Sequence, residues 1–435
     1  MQKVAVFWFR RDLRFDDNTG LAHALASGLP VLPIFIFDEE ILKSLPKNDA
    51  RVNFIYNTLQ ALNDQINTEV ESAIAMYHST PKKVFEKLLK EYDIEEVFVN
   101  HDYEPYALKR DTEISDLLSK NDIKLNTYKD QVIFEKDEVV KSDGTPYVVY
   151  TPFKNKWKST FNVEKDLKEQ QSNLKSDTFL KNSNFPKLTL KDIGFSSSEI
   201  KVESYNIKAS LISNYEDTRN FPGIENGTSK LGPHLRFGTV SVRKMIKKAI
   251  AEKNETFWNE LIWREFFMQI LWHFPETIHN AFRPKYDRIV WRNNEEEFEK
   301  WKKGETGYAL VDAGMRELNN TGYMHNRVRM LVASFLCKHL LIDWRWGEAY
   351  FAEKLLDYEL SSNIGNWQWA AGTGVDAAPY FRIFNPITQV DKFDNEKKYI
   401  NKWVPELQEL TYPNKMVDHK MARERCLKTY KQALD

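Results

Sequence analysis

The sequence predicts two domains of different class: a doubly wound α/β domain with a parallel sheet over residues 1–128, then an all-α domain over residues 201–435. Three observations predict this. The apolar runs Val4–Phe9, Val31–Phe37, Ala73–Tyr77 and Val97–Asn100, with a fifth near Ile123, are continuous rather than alternating, as in strands buried on both faces. Helical patterns at Arg51–Leu62, Pro81–Leu89 and Pro105–Leu118 separate them, which is the alternation of a parallel sheet. From about residue 201 the periodicity turns helical and stays so, and nine of the twelve tryptophans fall between Trp258 and Trp369.

A chain of 435 residues can bury two or more separate cores. Its 62 Lys+Arg against 63 Asp+Glu leave a formal charge of −1, so any nucleic-acid surface must be a local basic patch. Apolar runs such as Val31–Phe37 are too short to span a bilayer, and Met1–Phe9 lacks a basic lead. No membrane contact and no signal peptide are expected. Two distant cysteines, Cys337 and Cys426, fit a reduced cytoplasmic protein, and the nine histidines lack metal-ligand spacing, so no metal is expected.

In chain order, the turn after the first strand is Arg10-Arg11-Asp12-Leu13-Arg14, where a dinucleotide site would need glycines. NAD is therefore not expected. Gly372–Ala377 fits G-x-G-x-x-A, but no strand precedes it and the match is accidental. Residues 129–200, rich in Lys, Ser, Asp and Asn, read as an interdomain connector, because so long a structureless stretch is uncommon inside one domain.

Residues 227–250 hold several Lys, Arg and His and no acid. Thr228, Ser229 and Lys230 beside backbone N–H groups suit a pyrophosphate at a helix start. Glu260 and Trp263 are spaced i, i+3 and share a helical face, joining one carboxyl to one large π surface. Asn326, Arg329 and Met330 also share a face. Trp367 and Trp369, two apart, cannot, so one ring can turn inward while the other meets a cavity.

Longer motifs carry a family resemblance. Trp8-Phe-Arg-Arg-Asp-Leu-Arg-Phe-Asp-Asp-Asn18, Asn363-Ile-Gly-Asn-Trp367-Gln-Trp369-Ala-Ala and Thr373-Gly-Val-Asp376-Ala-Ala-Pro379-Tyr-Phe-Arg382 resemble the photolyase/cryptochrome family. The resemblance covers nearly the whole chain and is closest to the class I cyclobutane pyrimidine dimer photolyases. It implies that the all-α domain binds FAD and that the α/β domain holds a second, light-harvesting chromophore, with methenyltetrahydrofolate and a deazaflavin as open candidates. It implies UV-damaged DNA as the partner of a monomeric enzyme.

Residue by residue, the resemblance places Tyr215, Thr228, Ser229, Lys230, Leu231 and Gly232 at the FAD phosphates, Gly232 standing where relatives usually carry Ser. Asn326 falls among the cofactor-binding and catalytic positions, and Arg329 is expected to pair with Asp357. Glu359, where relatives usually have Asp, matches a residue at the isoalloxazine edge, and Asn363 one beside the reactive ring nitrogen. Trp367, Trp344 and Trp291 match an electron-transfer chain to the surface. Glu260, Trp263, Met330 and Trp369 match residues around the extruded dimer, and Arg219 and Arg382 are expected on DNA phosphates. The (6-4) photolyases have His at the positions of Asn326 and Met330, while plant and insect cryptochromes have Asp or Cys at that of Asn363. The residues here favour dimer repair over both alternatives, (6-4) repair and light sensing.

Overall fold

The computed structural model describes residues 2–172, 174, 178–182 and 185–435. Two compact units interleave along the chain. Met1–Glu135, Phe161–Ser204 and Leu231–Lys248 form the first, and Lys136–Thr160, Tyr205–Lys230 and Ala249–Asp435 the second.

The first unit is built on five parallel strands, β1 (Lys3–Phe9), β2 (Val31–Asp38), β3 (Ala75–Ser79), β4 (Asp93–Asn100) and β5 (Lys124–Tyr128), in the order β3-β2-β1-β4-β5. The period-two geometry of a strand sends alternate side chains to opposite faces. Ala5, Phe7 and Phe9 of β1 enter one core, and Val4, Val6 and Trp8 enter the other. Both faces are therefore buried, as the continuous apolar runs require. Helices Ala50–Val70, Pro81–Glu91 and Pro105–Ser119 lie between the strands. A short helix at Thr19–Leu25 was not expected. Gly20 in its first turn allows it, because a Cβ there would stand 2.9 Å from Asn100 Oδ1 at the end of β4.

Strand order reverses between β1 and β4, which in open α/β sheets is where ligands bind. The loops leaving these strands gather the polar side chains of Arg10, Arg11, Asp12, Asn100, His101 and Asp102. Arg11 Nη1 donates to Asp102 Oδ1 at 3.0 Å and to Glu104 Oε1 at 2.9 Å. Burial would raise the Asp102 carboxyl, but Arg11, Arg110, Arg236 and Arg10 outweigh it and hold the group well below the usual range.

Residues 129–200 are divided between the units, and the stretch contains helices Tyr150–Thr160 and Val163–Asp166. Residues 173, 175–177, 183 and 184 of it lie outside the described residues. The first of these helices is anchored by Trp157, which is fully buried and donates from Nε1 to Glu265 Oε2 at 2.5 Å. An apolar ring with one polar atom suits this role, since burial costs little once the N–H is satisfied.

The second unit is helical. Its core gathers Trp301, Phe335, Trp344, Phe351 and Trp367, with Trp291 and Trp369 packed against it. Close helix approach depends on two glycines. A Cβ on Gly347 would meet the Trp367 ring at 2.1 Å, and one on Gly365 would meet Phe267 at 2.2 Å. Asn254 caps helix Glu255–His273 by accepting from Phe257 N–H, and Gly372, at φ 87°, ends helix Leu360–Ala371. Among the described residues, no helix is long and apolar enough to cross a membrane.

Candidate active site

The second unit brings the basic loop of residues 228–230 against the segment that opens helix Asn326–Ser334. Tyr323 joins them. Its hydroxyl lies 3.3 Å from Thr228 Oγ1, and Lys230 Nζ sits 3.3 Å above its ring. Lys230 adopts φ 55°, a left-handed backbone that turns the loop sharply. Ser229 contributes its carbonyl, which accepts from Asn206 N–H at 2.8 Å. Tyr215 packs edge-on against Phe257 at 5.1 Å. Leu231, buried, and Gly232 belong to the first unit, where they start the short helix Gly232–Phe237.

Arg329 forms the pair expected from the sequence. Its Nη1 and Nη2 donate to Asp357 Oδ1 and Oδ2 at 3.1 and 2.9 Å, and its Nε donates to the Met324 carbonyl at 2.7 Å. Three fixed donors hold the guanidinium plane in one orientation. Asp357→Ala should therefore lower both melting temperature and flavin content. The pair is only partly enclosed, with side chains 23% and 16% exposed, so the expected cost is about 2–3 kcal/mol rather than the larger loss for a fully buried pair. Thermal unfolding and the flavin-to-protein ratio check it; wild-type values for both would contradict it.

Glu359, expected at the flavin edge, has a capping role of its own. It is the N-cap of helix Leu360–Ala371, accepting from Ser361 N–H at 3.1 Å, Ser361 Oγ–H at 2.6 Å and Ser362 N–H at 2.8 Å. Glutamate has one methylene more than the usual aspartate, and the carboxylate folds back on its own helix. A flavin donor would share it with these three groups. Asn363, buried on the same helix, donates from Nδ2 to the carbonyl and carboxylate of Glu348 at 3.1 and 2.8 Å. Burial raises the Glu348 carboxyl, opposed by that hydrogen bond.

Glu260 and Trp263 project from helix Glu255–His273. Arg219, expected on DNA phosphates, places Nη1 2.5 Å from Glu260 Oε1. Burial raises the Glu260 carboxyl and Arg219 opposes the rise. Trp263 is half-buried, and Tyr150 stacks on it with ring centroids 3.5 Å apart and planes 8° from parallel. Tyr150 thus covers one face of the indole, and the Phe267 ring lies 5.6 Å away at 27°, so a base would meet only what these two rings leave exposed.

Trp367 is buried and Trp369, two residues on, is half-buried against the same core. Trp344 is buried in the same core as Trp367, with Trp291, half-buried, against it. Asn326 is exposed, and Met330 is half-buried with Arg327 Nη1 3.6 Å from its Sδ. Arg382 is exposed, its carbonyl accepting from the buried Lys338 Nζ at 3.0 Å. Tyr150, Tyr323 and Arg327 were not singled out from the sequence. Only Arg327, in the run Asn326–Met330, had a signal there, its charge.

A parallel α/β unit is joined in sequence to a helical unit with a basic, hydroxyl-bearing loop, a paired Arg and Asp and a tryptophan-rich core, the two-domain class to be expected of a flavin-binding protein. Residues 5–172 match the family model described as DNA photolyase, and residues 257–411 match the FAD binding domain of DNA photolyase. A deoxyribodipyrimidine photo-lyase of Halobacterium salinarum is 35% identical over 99% of this chain and 99% of its own. A bacterial class III photolyase structure from Agrobacterium tumefaciens is 32% identical with TM-score 0.87, covering 100% of this chain and 98% of that one. An archaeal photolyase structure from Sulfolobus tokodaii with two FAD molecules is 34% identical with TM-score 0.84, covering 99% and 100%. The chain belongs to the DNA photolyase family, and FAD is its cofactor.

Proposed function

We propose that this protein is a light-driven DNA repair enzyme that splits cyclobutane pyrimidine dimers. The observation that carries the reading is the full-length likeness to a deoxyribodipyrimidine photo-lyase. Asn326 and Met330 support it, because neither offers the acid that (6-4) chemistry needs. The lesion leaves the duplex, at a cost of a few kcal/mol that is least where pairing is already broken. Trp263 and Trp369 receive it, and Glu260 presents its carboxyl beside them. Thr228, Ser229, Lys230 and Arg329 hold the cofactor, and Asp357 keeps Arg329 in place. Bound reduced FAD, once excited, supplies the electron that opens the cyclobutane ring and takes it back. The protein's part is orientation and exclusion of water.

We assign a second chromophore, methenyltetrahydrofolate or a deazaflavin, to the first unit, supported by the second FAD, read as a light-harvesting cofactor, of the similar Sulfolobus tokodaii photolyase. A monomer in a reducing cytoplasm suits the free, buried Cys337 and Cys426.

Illumination of the protein with oligonucleotides carrying one cyclobutane dimer or one (6-4) product tests the reading. Repair of the first alone is expected, and repair of the second alone would overturn it.

Binding to dimer-containing DNA should weaken steeply with salt, because a chain of net charge −1 must meet phosphates through local cations such as Arg382. Each phosphate contact should contribute roughly −0.9 to the slope of log K against log salt. A flat plot would remove the basic face.

A further inference from the structure

His325 is the N-cap of helix Asn326–Ser334, and its Nδ1 accepts from Arg327 N–H at 3.2 Å. That bond leaves the ring proton on Nε2. The side chain is 6% exposed, and Nε2 has no partner among the described residues. A buried donor left unmatched costs about 1–3 kcal/mol, so such an atom marks a ligand or a strained site.

The surroundings select the ligand. Four cations act on this imidazole: Lys230 most strongly, then Arg329, Arg327 and Arg219. Asp357 balances Arg329, and Glu260 balances Arg219. Arg327 donates to Asn220 and Met330 rather than to an acid. Glu317 accepts from the His325 backbone N–H at 3.1 Å and from the Tyr399 hydroxyl at 2.5 Å; burial raises its carboxyl, while these hydrogen bonds, Lys230 and Arg329 oppose the rise. Arg327 therefore stands near a neutral donor with no carboxylate among its hydrogen-bond partners, beside the loop that carries Thr228, Ser229 and Lys230.

We propose that His325 Nε2–H donates to a phosphate oxygen, and that His325 is a binding residue of the site. The proposal rests on the reading that the site takes FAD and a flipped nucleotide, each of which brings phosphate. Burial first, then the four cations, push the imidazole pKa down to about 3. The ring stays neutral at working pH and gives a donor of fixed direction without adding charge.

His325→Asn separates this role from the cap. An Asn Oδ1 still accepts from the Arg327 N–H, being a preferred N-cap, but its shorter side chain cannot replace the Nε2 donor. FAD is titrated into deflavinated wild-type and His325→Asn protein, and a dimer-containing oligonucleotide into the flavin-saturated forms. A hydrogen bond to a charged acceptor is worth about ten- to a hundredfold in affinity. A loss of that size for FAD alone assigns the cofactor's phosphates, and a loss for DNA alone assigns the lesion's phosphate; either supports the proposal. Unchanged affinity for both, or parallel loss of both, overturns it. His325→Gln, whose longer side chain can carry an N–H outward, should recover part of a selective loss. Both titrations are run in the dark, so they read phosphate binding whether or not the protein repairs DNA under light.

Discussion

Trp291→Phe should abolish photoreduction of oxidised FAD while leaving repair by pre-reduced enzyme nearly intact. Trp367 and Trp344 are buried in one core, and Trp291 is the half-buried ring packed against it. It therefore suits the outer end of a chain that draws electrons from solution. Phe keeps most of the apolar contact, including the edge-on packing at 6.0 Å against Tyr430, but is much harder to oxidise. Repair needs only flavin that is already reduced, so it should survive. Illuminating the oxidised protein with an external donor and following the flavin spectrum checks this. Equal photoreduction in mutant and wild type would remove Trp291 from the chain.

Trp263→Ala should weaken binding to dimer-containing DNA while undamaged duplex binds almost as before. An intact duplex keeps its bases stacked and offers mainly phosphates to a non-specific surface. A flipped dimer has lost its stack and needs a replacement. Losing the ring should cost on the order of 1–3 kcal/mol, roughly five- to a hundred-and-fiftyfold in affinity. Tyr150 complicates the variant, because its ring lies 3.5 Å from the indole and would lose that partner too. If Trp263 served only packing, the variant would melt earlier, retain flavin poorly and lose both DNA affinities in parallel. Both affinities and the flavin-to-protein ratio distinguish the two roles, and parallel loss of the two affinities would sink the stacking role.

Much of the first unit was legible because burial on both faces writes itself into a strand as an unbroken apolar run. Val4–Phe9 and Val31–Phe37 differ from β1 and β2 by one residue at an end. Helix Thr19–Leu25 was not legible, since Gly20 lowers its propensity and only the approach to Asn100 explains the glycine. The interleaving of the units was hidden for a similar reason. Lys154, Lys156 and Lys158 make residues 150–160 look solvated, yet Trp157 buries the opposite side. In the site, the Arg329–Asp357 pair followed from family motifs. The stacking of Tyr150 on Trp263 joins residues distant in sequence, with no spacing to announce it. Glu359 looked like a one-methylene variant of a flavin contact, and its capping role emerges only where the carboxylate meets Ser361 and Ser362. Nothing in the spacing of His325 announces a role, which rests on its buried, unmatched Nε2.

Light-driven reversal of one lesion by reduced FAD is the reaction proposed for this protein. The direct measurement is anaerobic illumination of the fully reduced protein with an oligonucleotide carrying a single cyclobutane dimer, followed by absorbance at the pyrimidine band. Recovery of that absorbance in blue light, with none in the dark or with oxidised flavin, is the expected result. Equal traces in light and dark, with lesion and reduced FAD both bound, would contradict it.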